Sequence, residues 1–300
     1  MNKSNNLSVR QRIDRKLCGT FKRVLPDRLY LEMLYRVRLG TSPDFVHPST
    51  FNEKLNWLKL NDRNPMYTKL ADKYEVRNFV KEIIGENYLI PILGVWNSAE
   101  EIEFDKLPDQ FVLKCTHDSA SVVICEDKKN FDVDSARRKL SAALNTNYYY
   151  PAREWPYKNI VPRIIAEKYM SDESGKELKD YKVYDFNGVP ELIQVDFGRF
   201  VKHERNLYTK DWKFINQVIE YQNNPNVVID EPSHLKEMLM LAEELAKSIP
   251  SPSVRTDFYS CGDRIFFGEI TFYQEAGFAR FSSSAYEKEL GDMIHLPIQQ

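Results

Sequence analysis

Residues 255–271, RTDFYSCGDRIFFGEIT, indicate the fold most directly, because they read as two β-strands joined by a turn. Aromatic and β-branched residues stand at near-alternate positions on both sides of residues 261–263, which is typical of a β-hairpin. A three-residue turn points Arg255, Asp257 and Glu269 to one face of the sheet. A two-residue turn would place the two acids on opposite faces. Our interpretation uses the three-residue register.

On that register, Asp257, Glu269 and Thr271 form an oxygen-rich patch beside Arg255. Carboxylate and hydroxyl oxygens are ligands that a hard cation such as Mg²⁺ prefers, especially when the cation also holds phosphates. The competing interpretation is an ordinary solvated hairpin face. The residues of the hairpin alone leave both interpretations open.

Composition describes a chain that can bury a sizeable core. The sequence has 300 residues, of which 42% are hydrophobic and 13% aromatic, so we expect one large domain or two to three lobes. A formal net charge of -2 does not suggest a nucleic-acid binder. The four cysteines are scattered without metal-ligand spacing, and neither a long apolar run nor a signal peptide is evident. We therefore expect reduced thiols and a cytoplasmic location.

The first forty residues are locally basic, which would suit a peripheral contact with the inner face of a membrane or with a lipid-linked anionic glycan. The alternative is a solvated helix face. The basic residues are Arg10, Arg12, Arg15, Lys16, Lys22, Arg23, Arg28, Arg36 and Arg38.

Residues 111–125, FVLKCTHDSASVVIC, read as a strand, a small polar loop and a second strand. Small residues let backbone N–H groups approach an anion, and the hydroxyls can bind phosphate oxygens. Lys114, next to the loop, would supply a positive charge. The candidate phosphate-binding residues are therefore Lys114, Thr116, His117, Ser119 and Ser121.

Residues 164–200 predict an apolar strand with Glu167 and Lys168 near its end, followed by a hairpin that turns at Asn187-Gly188. Asp180 and Lys182 stand two apart and so share one strand face. The segment that follows carries a cluster of anion donors, namely Arg199, His203, Arg205 and Asn206.

Apolar periodicity and helix-capping residues predict three helices. Ser49 or Thr50 caps a helix in STFNEKLNWLKL, residues 67–85 predict one helix that ends at Gly85, and residues 234–250 carry an apolar stripe of period 3.6. A further helix is expected over residues 133–145.

In this order, the segments resemble the ATP-grasp ligases. That family has a lysine strand, a small-residue phosphate loop, a glutamate-bearing strand at the adenine, an acidic residue at the ribose, and metal-binding acids on adjacent strands. The resemblance implies an α+β ATP-grasp fold in which two lobes hold ATP, with a helical N-terminal extension.

The resemblance also implies roles for particular residues. ATP would contact Lys114 and residues 116–121, the adenine would lie at the hinge, and Asp180 and Lys182 would reach ribose and phosphate. Asp257, Glu269 and Thr271 would hold Mg²⁺, and Arg255, Arg205 and Lys182 would serve catalysis. The hinge residues are Glu167, Lys168, Tyr169 and Met170.

Within the superfamily, the chain resembles most the TupA-like ATP-grasp proteins of teichuronopeptide and capsular polysaccharide biosynthesis, often labelled glycosyltransferases. The likeness is carried by TFNEKLNWLKL, DKYEVRNFV, LPDQFVLKC, DYKVYDFNG and FGEITFYQEAGFARF. Thr271 departs from the family's Asn, Ala120 stands where a glycine is usual, and QEAG occupies a loop often richer in Pro or Ser.

The implied domains are 1–62, a helical N-terminal arm; 63–110, a reduced region before the ATP-grasp core; 111–170, the small lobe; and 171–300, the large lobe with the Mg²⁺ site. The implied function is a carboxylate–amine ligase that forms an amide through an acylphosphate. Its expected partners are ATP, a uronic acid of a cell-surface polysaccharide, and an amine.

Two alternatives stay open at this point. A glycosyltransferase would use a nucleotide sugar, but the acidic Asp132-Val133-Asp134 lies in a polar approach to a helix rather than after a Rossmann-like strand. A degenerate nucleotide-binding protein is favoured by Thr271 and Ala120, whereas the two acids and two lysines oppose it.

Overall fold

The computed structural model describes residues 9–171, 178–198 and 202–297, which form an α+β fold with two antiparallel sheets. This confirms the predicted fold class. The helices of the described residues are α1 (Val9–Gly19), α2 (Asp27–Leu39), α3 (Phe51–Asn61), α4 (Met66–Ala71), α5 (Val76–Ile83), α6 (Val133–Leu144), α7 (Tyr149–Ala152), α8 (Leu235–Lys247) and α9 (Ser284–Met293). The strands are β1 (Ile92–Trp96), β2 (Phe111–Cys115), β3 (Val123–Cys125), β4 (Ile164–Lys168), β5 (Asp180–Phe186), β6 (Val189–Phe197), β7 (Glu204–Thr209), β8 (Phe214–Ile215), β9 (Ser253–Cys261) and β10 (Arg264–Thr271).

The large sheet has the strand order β10-β9-β5-β6-β7-β8. Its residues alternate between two faces, as the strand period of two requires. One face is apolar and packs on α8, whose Met238, Leu241 and Leu245 are buried in the same core cluster as Val183 of β5 and Phe258 of β9. The other face carries charged side chains.

The small sheet has the order β1-β4-β2-β3 and its own core cluster. Phe111, Leu113 and Cys115 of β2 are fully buried and pack with Leu140 of α6. The predicted helix over residues 133–145 is confirmed by α6. Each sheet therefore has a separate apolar core, as two lobes require.

Helix α3 belongs to the core of the large sheet. Thr50 caps it as predicted, and Glu53 completes a capping box. Phe51, Leu55 and Leu58 lie in the same core cluster as the large sheet, and α9 packs alongside. The N-terminal helical segment is thus anchored on the large lobe.

The predicted three-residue turn of the hairpin is wrong. Cys261 pairs with Arg264 across a two-residue turn, and an irregularity between Phe267 and Glu269 then shifts the register by one residue. As a result Glu269 lies opposite Asp257, on the same face. The extra residue is Gly268, whose position would bring a Cβ within 3.0 Å of the Asp257 carbonyl oxygen.

The single helix predicted for residues 67–85 is also wrong, because α4 and α5 are separate. Asp72 adopts an extended backbone conformation and its carboxylate accepts hydrogen bonds from the Tyr74 and Glu75 N–H groups, at 2.8 and 3.3 Å. Such local side-chain bonds compete with the helix. The interruption leaves Lys73 between the two helices.

The predicted hairpin turn at residues 187–188 is confirmed. Asn187 and Gly188 both have positive φ, at 51° and 80°, as a hairpin turn of this type requires. Within the described residues, none of the four cysteines forms a disulfide. Among the residues that the structure describes, no helix is long and apolar enough to cross a membrane.

Candidate active site

The charged face of the large sheet brings together side chains from three neighbouring strands. Lys182 of β5 lies opposite Asp257 of β9, and Asp257 lies opposite Glu269 of β10. Arg255 lies opposite Thr271. The sheet register thus brings residues that are distant in the sequence, such as Lys182 and Thr271, onto one face of the sheet.

Asp257 is the most heavily paired of these side chains. Lys182 Nζ lies 2.6 Å from Asp257 Oδ2 and also contacts Asp180. Arg255 donates to both carboxylate oxygens, with Nε 2.6 Å from Oδ1 and Nη2 2.8 Å from Oδ2. Burial disfavours the charge on Lys182, but the two aspartates outweigh that effect and raise its pKa.

Glu269 is the point where cations from both lobes meet. Burial alone would raise its pKa, but Lys73, Arg255, Lys182 and Lys114 together lower the pKa of Glu269 to about 2. Lys73 Nζ is the nearest lysine that forms an ion pair with it, at 3.5 Å. The carboxylate is therefore ionised at neutral pH and faces a cationic surface that would suit a polyphosphate.

The predicted metal ligands fit a hard cation in type and placement. Asp257, Glu269 and Thr271 offer two carboxylates and a hydroxyl on one face, which is the oxygen chemistry of Mg²⁺. Arg255 Nη2 lies among these oxygens, 2.8 Å from Asp257 Oδ2, 3.4 Å from Glu269 Oε1 and 3.1 Å from Thr271 Oγ1. Within the described residues no group of three or more His, Cys, Asp or Glu side chains could hold a metal ion. The chain would thus supply only part of a coordination shell, and phosphate oxygens would have to supply the rest.

On the small sheet, Lys114 Nζ lies 2.6 Å from Glu167 Oε2, and Arg77 lies 3.6 Å from the other oxygen of that carboxylate. Glu167 is buried, and the Lys114 side chain is 12% exposed. The pairing joins β2 to β4 and holds the Lys114 ammonium beside the hinge strand.

The predicted phosphate loop is shaped by its own side chains. Ser121 donates to Asp118 at 2.5 Å and accepts from the Cys115 N–H, and the Thr116 hydroxyl accepts from the Arg163 N–H. His117 Nε2 lies 3.1 Å from the Ala143 carbonyl oxygen at the end of α6. Ser119 differs, because its exposed hydroxyl meets the Tyr148 hydroxyl at 2.5 Å.

Sequence reasoning missed Lys73. Its ammonium contacts the Asp118 carbonyl oxygen of the phosphate loop as well as Glu269, and so connects the two lobes. The DKYEVRNFV segment carries part of the family resemblance. However, a continuous helix was expected there, and the interruption at Asp72 that brings Lys73 to the site was not predicted.

The other predicted residues form their own contacts, with side chains outside the set described above. Arg205 donates to Asp196 at 2.7 Å and to Glu275 at 2.8 Å, and His203 stacks on Tyr221 with ring centroids 3.7 Å apart. Arg199 lies outside the described residues. Asn206 is buried and donates to the Asn224 carbonyl oxygen.

The end of the hinge strand faces a different space. Lys168 and Tyr169 line an open cavity of about 790 Å³ at the edge of the small sheet. The Tyr169 hydroxyl donates to Glu126 at 3.2 Å, while Lys168 is exposed and Met170 half-buried. The contact of these three side chains with adenine stays a prediction.

A second cavity of about 330 Å³, hereafter the cleft cavity, opens beside Glu269. Two segments that the sequence singles out contribute to it. In YYYPAREWPYKN, Arg153, Trp155 and Tyr157 suggest stacking on a sugar or a base, with packing over a core edge as the alternative; QEAG departs from the family pattern. Its lining residues are Ser119, Tyr148, Glu154, Tyr157, Arg255, Glu269, Thr271, Tyr273, Glu275 and Ala276.

The two antiparallel sheets carry lysines and acids that face a common site. Comparison with known families identifies this arrangement as ATP-grasp. More narrowly, residues 53–295 match the family described as TupA-like ATPgrasp, so the chain belongs to the TupA-like ATP-grasp family. No curated protein matches the chain.

Several solved structures resemble the chain at low sequence identity. D-alanine–D-alanine ligase from Bacillus anthracis, complexed with ATP, is 18% identical with a TM-score of 0.40, covering 69% of this chain and 57% of its own. The ATP-grasp ligase PsnB, complexed with a phosphomimetic variant of its minimal precursor, Mg and ADP, is 12% identical with a TM-score of 0.43, covering 86% and 64%. N5-carboxyaminoimidazole synthetase from Staphylococcus aureus, complexed with ADP, is 11% identical with a TM-score of 0.40, covering 83% and 51%. The chain therefore spans between 51% and 64% of the length of these three proteins.

Proposed function

We propose that the protein is an ATP-dependent carboxylate–amine ligase that forms an amide through an acylphosphate. The observation that carries this proposal is the convergence of cations on Glu269. Lys73, Lys114, Lys182 and Arg255 come from both lobes, and all of them act on this one carboxylate. A site with that charge arrangement suits a nucleoside triphosphate held between the lobes.

In the first step, the substrate carboxylate attacks the γ-phosphate of ATP. Phosphoryl transfer asks little covalent chemistry of the protein, so positioning and charge neutralisation carry most of it. Lys114 and Lys182 would hold phosphate oxygens from opposite sides, and Lys73 would do so from the gap between α4 and α5. When bound by Asp257, Glu269 and Thr271, Mg²⁺ would neutralise charge that develops on the phosphates.

In the second step, an amine attacks the acylphosphate carbon. Arg255 lines the cleft cavity, and its Nη2 donates to Asp257, Glu269 and Thr271; we propose that its guanidinium stabilises the oxyanion of this step. Arg205 would contribute indirectly, because it donates a hydrogen bond to Glu275, which also lines the cleft cavity. The products are an amide, ADP and phosphate.

The proposed carboxylate is a uronic acid of a capsular or other cell-surface polysaccharide, and the proposed amine is an amino acid or an amino sugar. Membership of the TupA-like family supports this substrate class by analogy. The enzyme would act in the cytoplasm or at the inner face of the membrane, on a lipid-linked precursor.

The test is to incubate the protein with MgATP and pools of uronic acids and amines, and to measure ADP. We expect ADP release that requires both a carboxylate and an amine. Release of UDP or GDP from a sugar nucleotide, without consumption of ATP, would instead identify a glycosyltransferase.

A further inference from the structure

The cleft cavity lies next to the proposed phosphate site and has two walls. The hairpin of β9 and β10 provides one wall through Arg255, Glu269 and Thr271. The segment around α7 provides the facing wall through Tyr148, Glu154 and Tyr157. A group bound in this cavity would therefore lie beside the position where the acylphosphate forms.

Glu154 is the one carboxylate of this lining that forms no side-chain hydrogen bond or ion pair with the described residues, although the charge of Lys59 acts on it. Its residue is 6% exposed, and no hydrogen bond or ion pair joins its carboxylate to another described residue. By contrast, Glu269 is paired with Arg255 and Lys73, and Glu275 is paired with Arg205. A buried carboxylate that lines a cavity and accepts no hydrogen bond from the protein has oxygens available to a ligand in that cavity.

A buried lysine fixes both ends of this cavity. Lys59 of α3 donates to the Ala152 carbonyl oxygen at 3.0 Å and to the Ala276 carbonyl oxygen at 2.5 Å. These acceptors precede Glu154 by two residues and follow Glu275 by one. Since Lys59 is 1% exposed, the two loops are held in a fixed relation rather than by a surface contact.

Backbone strain occurs at the same place. Glu275 and Ala276 have φ of 48° and 51°, a left-handed conformation that L-residues other than Asn and Asp seldom adopt. Residues in such conformations cluster at functional sites, where the surrounding structure must hold them. Lys59 and Arg205 are the groups that hold these two residues here.

The chemistry of the cavity favours a cation. It presents three carboxylates against one guanidinium, and aromatic rings of Tyr148, Tyr157 and Tyr273 complete the lining. Carboxylates and tyrosine faces both attract an ammonium group. Of these three carboxylates, Glu154 is the one that accepts no hydrogen bond from a described residue and so can accept one from an ammonium group.

We propose that the cleft cavity binds the acceptor amine as its ammonium form, and that Glu154 pairs with the ammonium and removes its proton before attack. This inference rests on the ligase function proposed above, and it adds the site and the base for the second substrate. Glu154 touches the reacting nitrogen and is in that sense a catalytic residue.

Amide formation involves two proton transfers, one C–N bond formed and one C–O bond broken. The Glu154 carboxylate takes one proton from the ammonium, and the freed nitrogen lone pair forms the C–N bond to the acyl carbon. The C–O bond to the phosphoryl group then breaks, and phosphate leaves with that electron pair. A second proton passes from nitrogen to the departing phosphate, which leaves a neutral amide.

Burial raises the pKa of Glu154, which brings the carboxyl closer to the range where a base works at neutral pH, and Lys59 is the nearest opposing influence. Other groups also act on it from the neighbouring elements. The charged and titratable groups that face Glu154 are Lys59, Arg38, Glu269, Arg255, Tyr148, Tyr157 and Tyr273.

The test compares Glu154→Gln with the wild type, using two kinds of acceptor at neutral pH. Glycine and glucosamine arrive as ammonium ions and need a base, whereas hydroxylamine is largely unprotonated and traps the acylphosphate without one. We expect Glu154→Gln to lower kcat/KM for the ammonium acceptors on the order of 10²-fold, with hydroxamate formation retained. Equal losses with both acceptor kinds, or no loss with either, would overturn the assignment.

Glu275→Gln is the matched control, since it removes a carboxylate from the same cavity that Arg205 already neutralises. We expect Glu275→Gln to lower kcat/KM by the same factor for the ammonium acceptors and for hydroxylamine. If the wild type forms no hydroxamate and releases no ADP, the ligase function itself has failed, and the binding experiment below still tests the cavity.

Calorimetry tests the cavity without turnover. The wild type should bind glucosamine more tightly than its neutral counterpart glucose in the presence of MgADP, and Glu154→Gln should lose that preference. Glu154→Asp, which keeps the charge, should restore part of it and guards against a folding defect in the Gln variant. Equal binding of the two sugars by the wild type, or an unchanged preference in Glu154→Gln, would refute the proposal.

Discussion

At the scale of the residue, the account depends on single carboxylates whose surroundings differ. Glu269 is surrounded by cations and Glu154 lines a cavity. Asp185 is buried, and neither of its carboxylate oxygens has a hydrogen-bond partner among the described residues. The sequence alone predicted Glu269, because it stands in a hairpin with alternating polarity. It did not predict Glu154 or Lys73, because both lie in irregular segments where no periodicity reports the direction of a side chain.

Glu269→Gln should lower ligase turnover by about 10²-fold or more, because it removes the charge on which the four cations converge. The variant is isosteric, so its far-ultraviolet circular dichroism should match the wild type. ADP release in the presence of both substrates is the measurement. Wild-type turnover in this variant would remove Glu269 from the site.

Asp185→Asn should stabilise the protein at neutral and alkaline pH. Burial raises the pKa of Asp185 well above its usual range, and Glu243 adds to the shift. The unfolded chain therefore loses this proton at lower pH than the folded chain does, and stability falls as pH rises above about 4. We expect a gain of about 1–3 kcal/mol in the free energy of unfolding at pH 8.

Urea denaturation at pH 8 and at pH 4 checks this prediction, because the gain should shrink at the lower pH. Asp292→Asn is a suitable control, since Asp292 is exposed and paired with Lys288. A gain of equal size at both pH values would contradict the assignment of Asp185 as a buried, high-pKa carboxyl.

At the scale of the element, the hairpin shows where sequence reasoning reaches its limit. The strands and the shared face of Asp257 and Glu269 could be predicted, but the register could not. Two departures, a two-residue turn and an extra residue at Gly268, cancel in their effect on side-chain direction. A glycine in a strand is a signal for a bulge, and it stands directly before Glu269.

Gly268→Ala should therefore disturb the site through the backbone. A Cβ at this position would lie 3.0 Å from the Asp257 carbonyl oxygen and 3.2 Å from the Tyr259 ring. We expect a loss of about 1–3 kcal/mol in stability and a lower turnover, because Glu269 must shift with the bulge.

Gly262→Asn provides the comparison for that variant. Gly262 has a φ of 58° in the turn of the same hairpin, and nothing lies within 4 Å of a Cβ there. Because Asn tolerates a left-handed conformation, turnover should be retained. If both variants lose activity equally, the bulge has no particular role in placing Glu269.

At the scale of the whole molecule, two lobes with separate cores are expected to be joined by the nucleotide. MgATP at 100 times its Kd should stabilise the folded chain by about 2.7 kcal/mol. Lys114→Met should remove most of that gain, because the small lobe would lose its phosphate-facing ammonium. Lys106→Met changes an exposed lysine of the same lobe and should keep the gain.

Thermal unfolding with and without MgATP measures this effect, with the unliganded stability of each variant as the reference. The order of the segments predicted this architecture well, since each sheet assembles from consecutive motifs. The placement of α3 on the large lobe was not predicted, because the apolar stripe of a helix does not state which core receives it.

The central claim is that ATP activates a carboxylate, and isotope transfer tests it most directly. The protein is incubated with MgATP, an amine pool, and glucuronate and galacturonate labelled with ¹⁸O in the carboxylate, and the released phosphate is analysed by mass spectrometry. Attack of the carboxylate on the γ-phosphate predicts that one labelled oxygen appears in each phosphate formed with ADP. ADP formation with unlabelled phosphate would contradict the account.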